Sequence, residues 1–313
     1  MFLENREIIN SLEGDLVNKS YSHAYLFCGS RGIGKFSHAK NFARAILKDD
    51  SEALRFFSGI DDYEDADLYI VKNQGNIKKE EIEEIIENSF SKPYSGSHKI
   101  VIIDDFEKVT VEGQNALLKT LEEPMDYLIL ILISSTMKKI LPTIISRCRV
   151  LKFSDVTGDR IEDFLKKKNI TEKNARLFSR LSNGNVSLAL KYSEDPELLS
   201  RREDLIKVLD KIIRNTEFIF DEFTFFKDNR EDLAEILNFM LTWYLDLVYL
   251  KSGREEKIVN TDKIDLLKLE NISVDRAIKS YDAIINALVR NEKNINFDLN
   301  VETLLMELGG VRW

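Results

Sequence analysis

The sequence of 313 residues is poor in the residues that hold metals, disulfides and tight bends, with two cysteines, three histidines and four prolines. Cys28 and Cys148 stand far apart and form no C-x-x-C pair, so no cysteine-based zinc site is predicted. Two isolated thiols suit a reducing compartment. His23, His38 and His98 share no metal-ligand spacing. We therefore predict neither disulfides nor a metal centre.

Long apolar runs are also missing. The longest, YLILILI at 127–133, is too short to cross a bilayer, and the charged N-terminus has no apolar stretch like that of a signal peptide. We therefore expect a cytoplasmic protein that does not contact a membrane. The net charge of -9 argues against a stand-alone nucleic-acid-binding module, because neutralising phosphates requires Lys and Arg.

The first half of the chain alternates apolar runs with helical patterns. Continuous apolar runs predict strands near 23–29, 68–71, 100–103, 127–136 and 149–153. Helical spacing predicts helices at 34–47, 76–90 and 112–124, and the acidic stretch 49–67 is predicted to be solvated with a short helix at 54–57. Such alternation is typical of a parallel sheet covered by helices on both faces. After residue 153 the patterns are helical only.

The turn after the first predicted strand, GSRGIGKF, matches the phosphate loop G-x-x-x-x-G-K-[ST] except at its last position. Gly29, Gly32, Gly34 and Lys35 would hold phosphate oxygens through backbone N–H groups and an ammonium. The last position should carry a hydroxyl for Mg²⁺, and it carries Phe36. The turn is therefore either a vestigial phosphate site or a glycine-rich turn that holds no ligand.

Two carboxylates follow the strand at 100–103. Asp104 fits the acidic residue that orders a Mg²⁺ shell, and Asp105 stands where a catalytic glutamate often polarises water. The Asp105 side chain would be one methylene too short for that task. Ser37 is a poor substitute for the missing hydroxyl, because it is turned ~100° from position 36 on a helix. The alternative is a carboxylate pair without a catalytic part.

Two arginines, Arg147 and Arg149, precede the last predicted strand. An arginine here is either structural or reaches the nucleotide of a neighbouring subunit as an arginine finger. Such a finger contributes roughly 10³–10⁵ in rate when it is supplied in trans.

These pieces together resemble the bacterial clamp-loader subunits of the AAA+ class, and among them the delta-prime type. The resemblance rests on stretches that occur in order between residues 20 and 190: SHAYLFCGSRGIGK, KIVIIDDFEKVTVEGQNALLKTLEEP, LPTIISRCRVLKF and LSNGNVSLAL. It implies an α/β AAA+ (P-loop NTPase-like) parallel-sheet domain at 1–153, a small helical lid at 154–198 and an all-α collar at 199–313. Beyond residue 190 the similarity is only compositional.

The resemblance also implies a function. The chain would be a non-hydrolysing subunit of a hetero-pentamer with gamma/tau and delta subunits, which opens the sliding clamp and places it on primed DNA. Arg147 would be the arginine finger in trans. No cofactor would be required, and weak ATP, ADP or phosphate binding is left open. Many relatives carry a four-cysteine zinc module where this chain has its acidic stretch, so no zinc is expected.

The alternative within the family is an active ATPase of the gamma type. Phe36, Asp105 and Leu188 argue against it. Leu188 stands where the family's ATPases have an arginine that contacts the γ-phosphate, and the loss of that cation removes an electrostatic interaction. We therefore predict no ATPase activity for the chain on its own.

Overall fold

The computed structural model describes residues 5–50, 63–72, 75–214, 220–293 and 295–309. The chain divides into two compact units, one formed by Met1–Arg160 with Gly184–Ser187 and the other by Ile161–Asn183 with Leu188–Trp313. The short helix predicted at 54–57 lies outside the described residues. The finer division of the helical part into a lid and a collar stays a prediction.

A five-stranded parallel sheet forms the centre of the first unit, in the order β2-β3-β4-β1-β5. In the central strand, Leu26 is paired with Leu132 on one side and Val150 on the other. The strands are β1 Ala24–Cys28, β2 Leu68–Val71, β3 Lys99–Ile103, β4 Leu128–Ser134 and β5 Arg149–Lys152. All five predicted strands are confirmed to within a few residues.

Burial explains why the strands read as continuous apolar runs. Every residue of β1 and β4 is buried, whereas the edge strands β2 and β5 are partly exposed. Helices cover both faces of such a sheet, so no strand of its centre alternates apolar with polar residues. The helices of the first unit are α1 Arg6–Asn18, α2 Lys35–Leu47, α3 Lys79–Ser89, α4 Val111–Glu122 and α5 Pro142–Ile145.

Helix α4 has clear signals at both ends. Thr110 is its N-cap, and the side chain of Thr110 accepts a hydrogen bond from Gly113 N at 3.2 Å. Pro124 disfavours the helical conformation of the residue before it, and Glu123 has left that conformation at φ -123° and ψ 68°. The last residue of α4 is therefore Glu122, which matters for the site described below.

The described residues of the second unit form helices and no strands, as the sequence predicts. The helices are α6 Gly158–Lys167 and α8 Val186–Glu194, both begun in the first unit, and α7 Glu172–Ser182, α9 Pro196–Arg214, α10 Phe223–Asp228, α11 Leu233–Lys251, α12 Ile264–Leu269, α13 Val274–Glu292 and α14 Phe297–Gly309. Residues 230–251 are long and apolar enough to cross a membrane by length and composition alone. Half of the apolar window is buried inside the protein, including Trp243 and Tyr244, so this segment is the core helix of the unit.

A buried polar network ties α9 and α11 to the segment between α11 and α12. The guanidinium of Arg202 donates to Asn260 Oδ1 and to both carboxylate oxygens of Asp262, at 2.6–3.2 Å. Asp246 of α11 accepts from Val259 N, Asn260 N and Asn260 Nδ2. Because each of these buried groups has partners, the network fixes how the segment packs without leaving an unpaired charge.

Glu270, at the end of α12, makes the stability of the second unit depend on pH. Glu270 is buried, and burial together with the nearby Asp210 carboxylate raises its pKa from 4.5 to about 7. The stabilisation from protonated Glu270 is complete below pH 4.5 and is lost as the pH rises towards 7, because the folded state then has to bury a carboxylate. Above that range the cost is constant.

Substituting Glu270→Gln should therefore change stability in a pH-dependent way. Relative to the unsubstituted chain, we expect the variant to gain about 1–3 kcal/mol in the free energy of unfolding between pH 5 and pH 8. Urea unfolding followed by tryptophan fluorescence is the measurement, since Trp243 lies in this unit. Equal differences at the two pH values would contradict the assignment.

Candidate functional site

A cavity of about 240 Å³ opens at the carboxyl edge of the sheet. The loop after β1, the residues after β3 and the end of β4 meet there, because the carboxyl ends of parallel strands share one edge. Four of the predicted phosphate-site residues line this cavity: Gly32, Gly34, Lys35 and Asp104. Phe36 and Ser37 line it as well.

The loop depends on glycine at two positions with positive φ, which side chains other than hydrogen disfavour. Gly34 has φ 90° and is the N-cap of α2. Gly32 has φ 72°, and a Cβ built on it would lie 1.8 Å from Asn185 Oδ1. The carbonyl of Gly32 accepts a hydrogen bond from Ser187 N at 3.2 Å. The segment 184–187 therefore packs directly on the phosphate loop.

Lys35 points back into its own loop. Its ammonium donates to the carbonyls of Gly29 and Ser30, the latter at 2.6 Å, and the residue is only 7% exposed. Burial lowers the pKa of Lys35, and the attraction of the carboxylates of Glu107 and Asp104 opposes that effect. The loop carbonyls thus hold the ammonium that a phosphate would otherwise take.

The side chain of Phe36, which replaces the metal-binding hydroxyl, is in contact with the ammonium of Lys72. Lys72 Nζ lies 3.9 Å from the centroid of the Phe36 ring, a cation–π contact. The charge of Lys72 also acts on Asp104. Sequence reasoning missed Lys72, because a lysine just after an edge strand is an ordinary surface residue until the sheet brings it to the loop.

The two carboxylates after β3 have different environments. Burial raises the pKa of Asp104, and a hydrogen bond from Asp105 N at 3.0 Å opposes the rise. Asp105 has φ 49° and its carboxylate is 2.6 Å from Lys108 Nζ.

Glu107 is a buried carboxylate that sequence reasoning also missed. It accepts hydrogen bonds from Ser134 Oγ at 2.8 Å, from Ser135 N at 3.2 Å and from Ser135 Oγ. Burial raises the pKa of Glu107, but the hydrogen bonds from Ser135 and Ser134 outweigh this effect and hold the pKa below its ordinary value. Glu107 therefore fixes the end of β4 at the cavity.

Arg147 is not among the residues that line the cavity. It follows α5, where its Nη1 donates to Thr143 O at 3.0 Å and its Nη2 donates to Glu122 Oε1 at 2.7 Å. Its side chain is 34% exposed and that of Glu122 is 51% exposed. The predicted finger is thus held at the surface of its own unit, away from the chain's own phosphate loop.

Arg149, the second arginine considered, has an internal role. Its Nη1 contacts both carboxylate oxygens of Asp15 at 2.5–2.6 Å, and its Nη2 donates to Ser11 Oγ at 2.6 Å. Tyr25 of β1 donates to the same carboxylate at 2.8 Å. Arg149 therefore joins β5 to α1.

A buried amide joins α4 to the segment before α5, the two parts of the chain that contact Arg147. Gln114 of α4 donates through Nε2 to Val109 O and Lys139 O at 3.1 and 2.9 Å, and Leu141 N donates to its Oε1 at 2.9 Å. Gln114 is 1% exposed. Its amide thus ties α4 to the segment that leads into α5.

Comparisons with known proteins agree with this architecture. Family models described as "DNA polymerase III, delta subunit" and "DNA polymerase III, delta subunit, C terminal" match residues 4–157 and 196–309. The delta-prime subunit of DNA polymerase III from Bacillus subtilis is 30% identical, over 96% of this chain and 92% of the relative. The tau subunit from the same organism is 31% identical, but over only 66% of this chain and 38% of its own length.

A solved structure has the same fold. A DNA polymerase III gamma subunit-related protein from Thermotoga maritima superposes with a TM-score of 0.54 at 21% identity, covering 96% of this chain and 98% of that one. The parallel sheet and the glycine-rich loop after its first strand define a P-loop protein of the AAA+ class. The two family models and the Bacillus subtilis relative, which together cover nearly the whole chain, narrow this class to one family. The chain belongs to the delta-prime family of DNA polymerase III clamp-loader subunits.

The different environments of the two arginines lead to a stability prediction. Arg149→Ala should lower the free energy of unfolding by about 1–3 kcal/mol, because it leaves the largely buried Asp15 carboxylate without its cation. Arg147→Ala serves as the matched control and should change it by less than about 0.5 kcal/mol, since it removes only an exposed ion pair.

Urea unfolding followed by far-UV circular dichroism is the appropriate measurement, because Trp243, the one tryptophan among the described residues, lies in the other unit. A loss of similar size in the two variants would show that Arg147 is also structural.

Proposed function

We propose that this chain is a non-hydrolysing clamp-loader subunit that supplies Arg147 to the ATP site of a gamma/tau-type neighbour. The observation that carries the proposal is the position of Arg147, which lies outside the chain's own cavity with a partly exposed guanidinium. An arginine placed in this way neutralises charge that develops on a phosphoryl group in another subunit.

The chain's own loop is unsuited to Mg²⁺. Phe36 supplies a ring in place of an oxygen ligand, and the ammonium of Lys72 stands against that ring. The carboxylate of Asp104 is the remaining ligand type, but a divalent cation beside it would be repelled by Lys72. Asp105 is paired with Lys108 in place of a water molecule. These features together support a subunit that does not hydrolyse ATP.

The loop can still hold an anion weakly. The backbone turn of Gly32 and Gly34 and the start of α2 are preserved, and an anion would have to draw the Lys35 ammonium from the loop carbonyls. The fold therefore requires no nucleotide, and any binding of ATP, ADP or phosphate should be weak. No group of three metal-ligating side chains occurs in the described part of the chain, and we propose no zinc.

The proposal on partners is supported by family membership and by an exposed apolar stripe. Exposed apolar residues recur along α13 at Ile278, Ile285 and Val289. Helix α13 also packs on α11 and α14, and an exposed apolar stripe is a type of surface that contacts another protein. We propose gamma/tau and delta subunits as partners in a cytoplasmic hetero-pentamer, which loads the sliding clamp on primed DNA.

The finger predicts a defined kinetic defect. The test uses a loader reconstituted with gamma/tau and delta subunits. In it, Arg147→Ala should lower the hydrolysis rate of one fraction of the bound ATP by about 10³-fold or more, while the remaining ATP is hydrolysed at the unsubstituted rate. Single-turnover hydrolysis resolves the two fractions. Lys138→Ala removes an exposed cation from the segment before α5 and should leave the kinetics unchanged. If all bound ATP is hydrolysed at the unsubstituted rate, Arg147 is not a finger.

The degenerate loop predicts that the isolated chain has no ATPase activity. Turnover should stay at background with Mg²⁺ present, with or without primed DNA, because the metal has no oxygen ligand at position 36. Turnover above background that disappears in Lys35→Ala would refute this part of the proposal and would show that the loop is an active site.

A further inference from the structure

The contact between Arg147 and Glu122 has a geometry that bears on how the finger acts. Glu122 Oε1 accepts from Nη2 at 2.7 Å, and Thr143 O accepts from Nη1 at 3.0 Å. The two acceptors therefore hold both terminal nitrogens of one guanidinium. A guanidinium has five N–H donors, and these two contacts occupy two of them within the described chain. Donors remain for an anion outside the chain.

Stability does not account for this contact. The side chains of Arg147 and Glu122 are 34% and 51% exposed, and ion pairs at such exposure contribute little to folding. The pair nevertheless restricts an arginine side chain, which has several rotatable bonds and samples many rotamers when it is unpaired. Restricting it in the free subunit removes an entropic cost that would otherwise arise when the guanidinium is ordered against the phosphoryl group in the transition state.

The backbone that carries the two acceptors is joined by a buried side chain. Glu122 is the last residue of α4, and Thr143 lies in α5. The buried amide of Gln114 joins α4 to the segment that ends at Leu141, immediately before α5. The helix end that carries Glu122 is therefore held beside the helix that carries Thr143, and the guanidinium contacts both.

We propose that Glu122 is a positioning residue for Arg147, which orients the guanidinium for the phosphates of a neighbouring subunit. The inference rests on the proposed function of Arg147 and adds the residue that prepares it. Glu122 does not contact the nucleotide itself. An opposite role, in which Glu122 competes with the nucleotide and has to release Arg147, would have the opposite kinetic sign.

The test uses the reconstituted loader and single-turnover hydrolysis of ATP. Arg147→Ala first defines the fraction of bound ATP that depends on the finger. For that fraction, Glu122→Ala should lower the hydrolysis rate constant about three- to tenfold with the affinity for ATP unchanged. Glu122→Gln keeps an oxygen acceptor and should recover most of the rate. Glu123→Ala removes the neighbouring exposed carboxylate and should leave the rate unchanged.

A double substitution distinguishes positioning from a general loss of structure. Once Arg147 is alanine, adding Glu122→Ala should lower the rate no further, because the two residues act as a unit. The inference is overturned if Glu122→Ala leaves the rate constant unchanged or raises it, or if its effect adds fully to that of Arg147→Ala. If Arg147→Ala itself has no effect, the proposed function fails and this inference fails with it.

Discussion

The parallel pairing of β1 between β4 and β5 is the constraint on which the first unit depends. Parallel strands all end at the same edge, so the loop after β1, the carboxylates after β3 and the end of β4 are brought to one cavity. The central strands β1, β3 and β4 are largely buried, and each is paired with a neighbouring strand on both sides. The carboxyl edge of the sheet therefore supports the loop rigidly, whether or not the loop holds a phosphate.

At this edge of the sheet, three lysines of the chain contact the loop and the carboxylates. The ammonium of Lys35 is bound by loop carbonyls, Lys72 stands on the Phe36 ring, and Lys108 pairs with Asp105. Hydrogen bonds from Lys35, an ion pair and a cation–π contact within the chain thus stabilise the loop and the carboxylates at this edge of the sheet.

The fold was largely predictable because each central strand is a continuous apolar run. The predicted strands and the all-helical second half are confirmed. Helix α1 was not predicted, although Ile8, Leu12 and Leu16 recur at helical spacing. The site was predictable only where a local motif marks it. Lys72, Glu107 and Gln114 have no such motif, since each acts on residues distant in sequence.

The sequence by itself determined the class of the protein, the degenerate last position of its phosphate loop and the two arginines that a finger could be. Both arginines lie in the same short stretch, and nothing in their spacing separates them. Only the tertiary structure gives them different partners, because α1 brings Asp15 to Arg149 while α4 ends with Glu122 beside Arg147. The two arginine side chains are similarly exposed, at 37% and 34%, but Asp15 is 11% exposed and Glu122 is 51% exposed. The physical difference between the two ion pairs is therefore the burial of the carboxylate, since water screens an exposed pair more strongly.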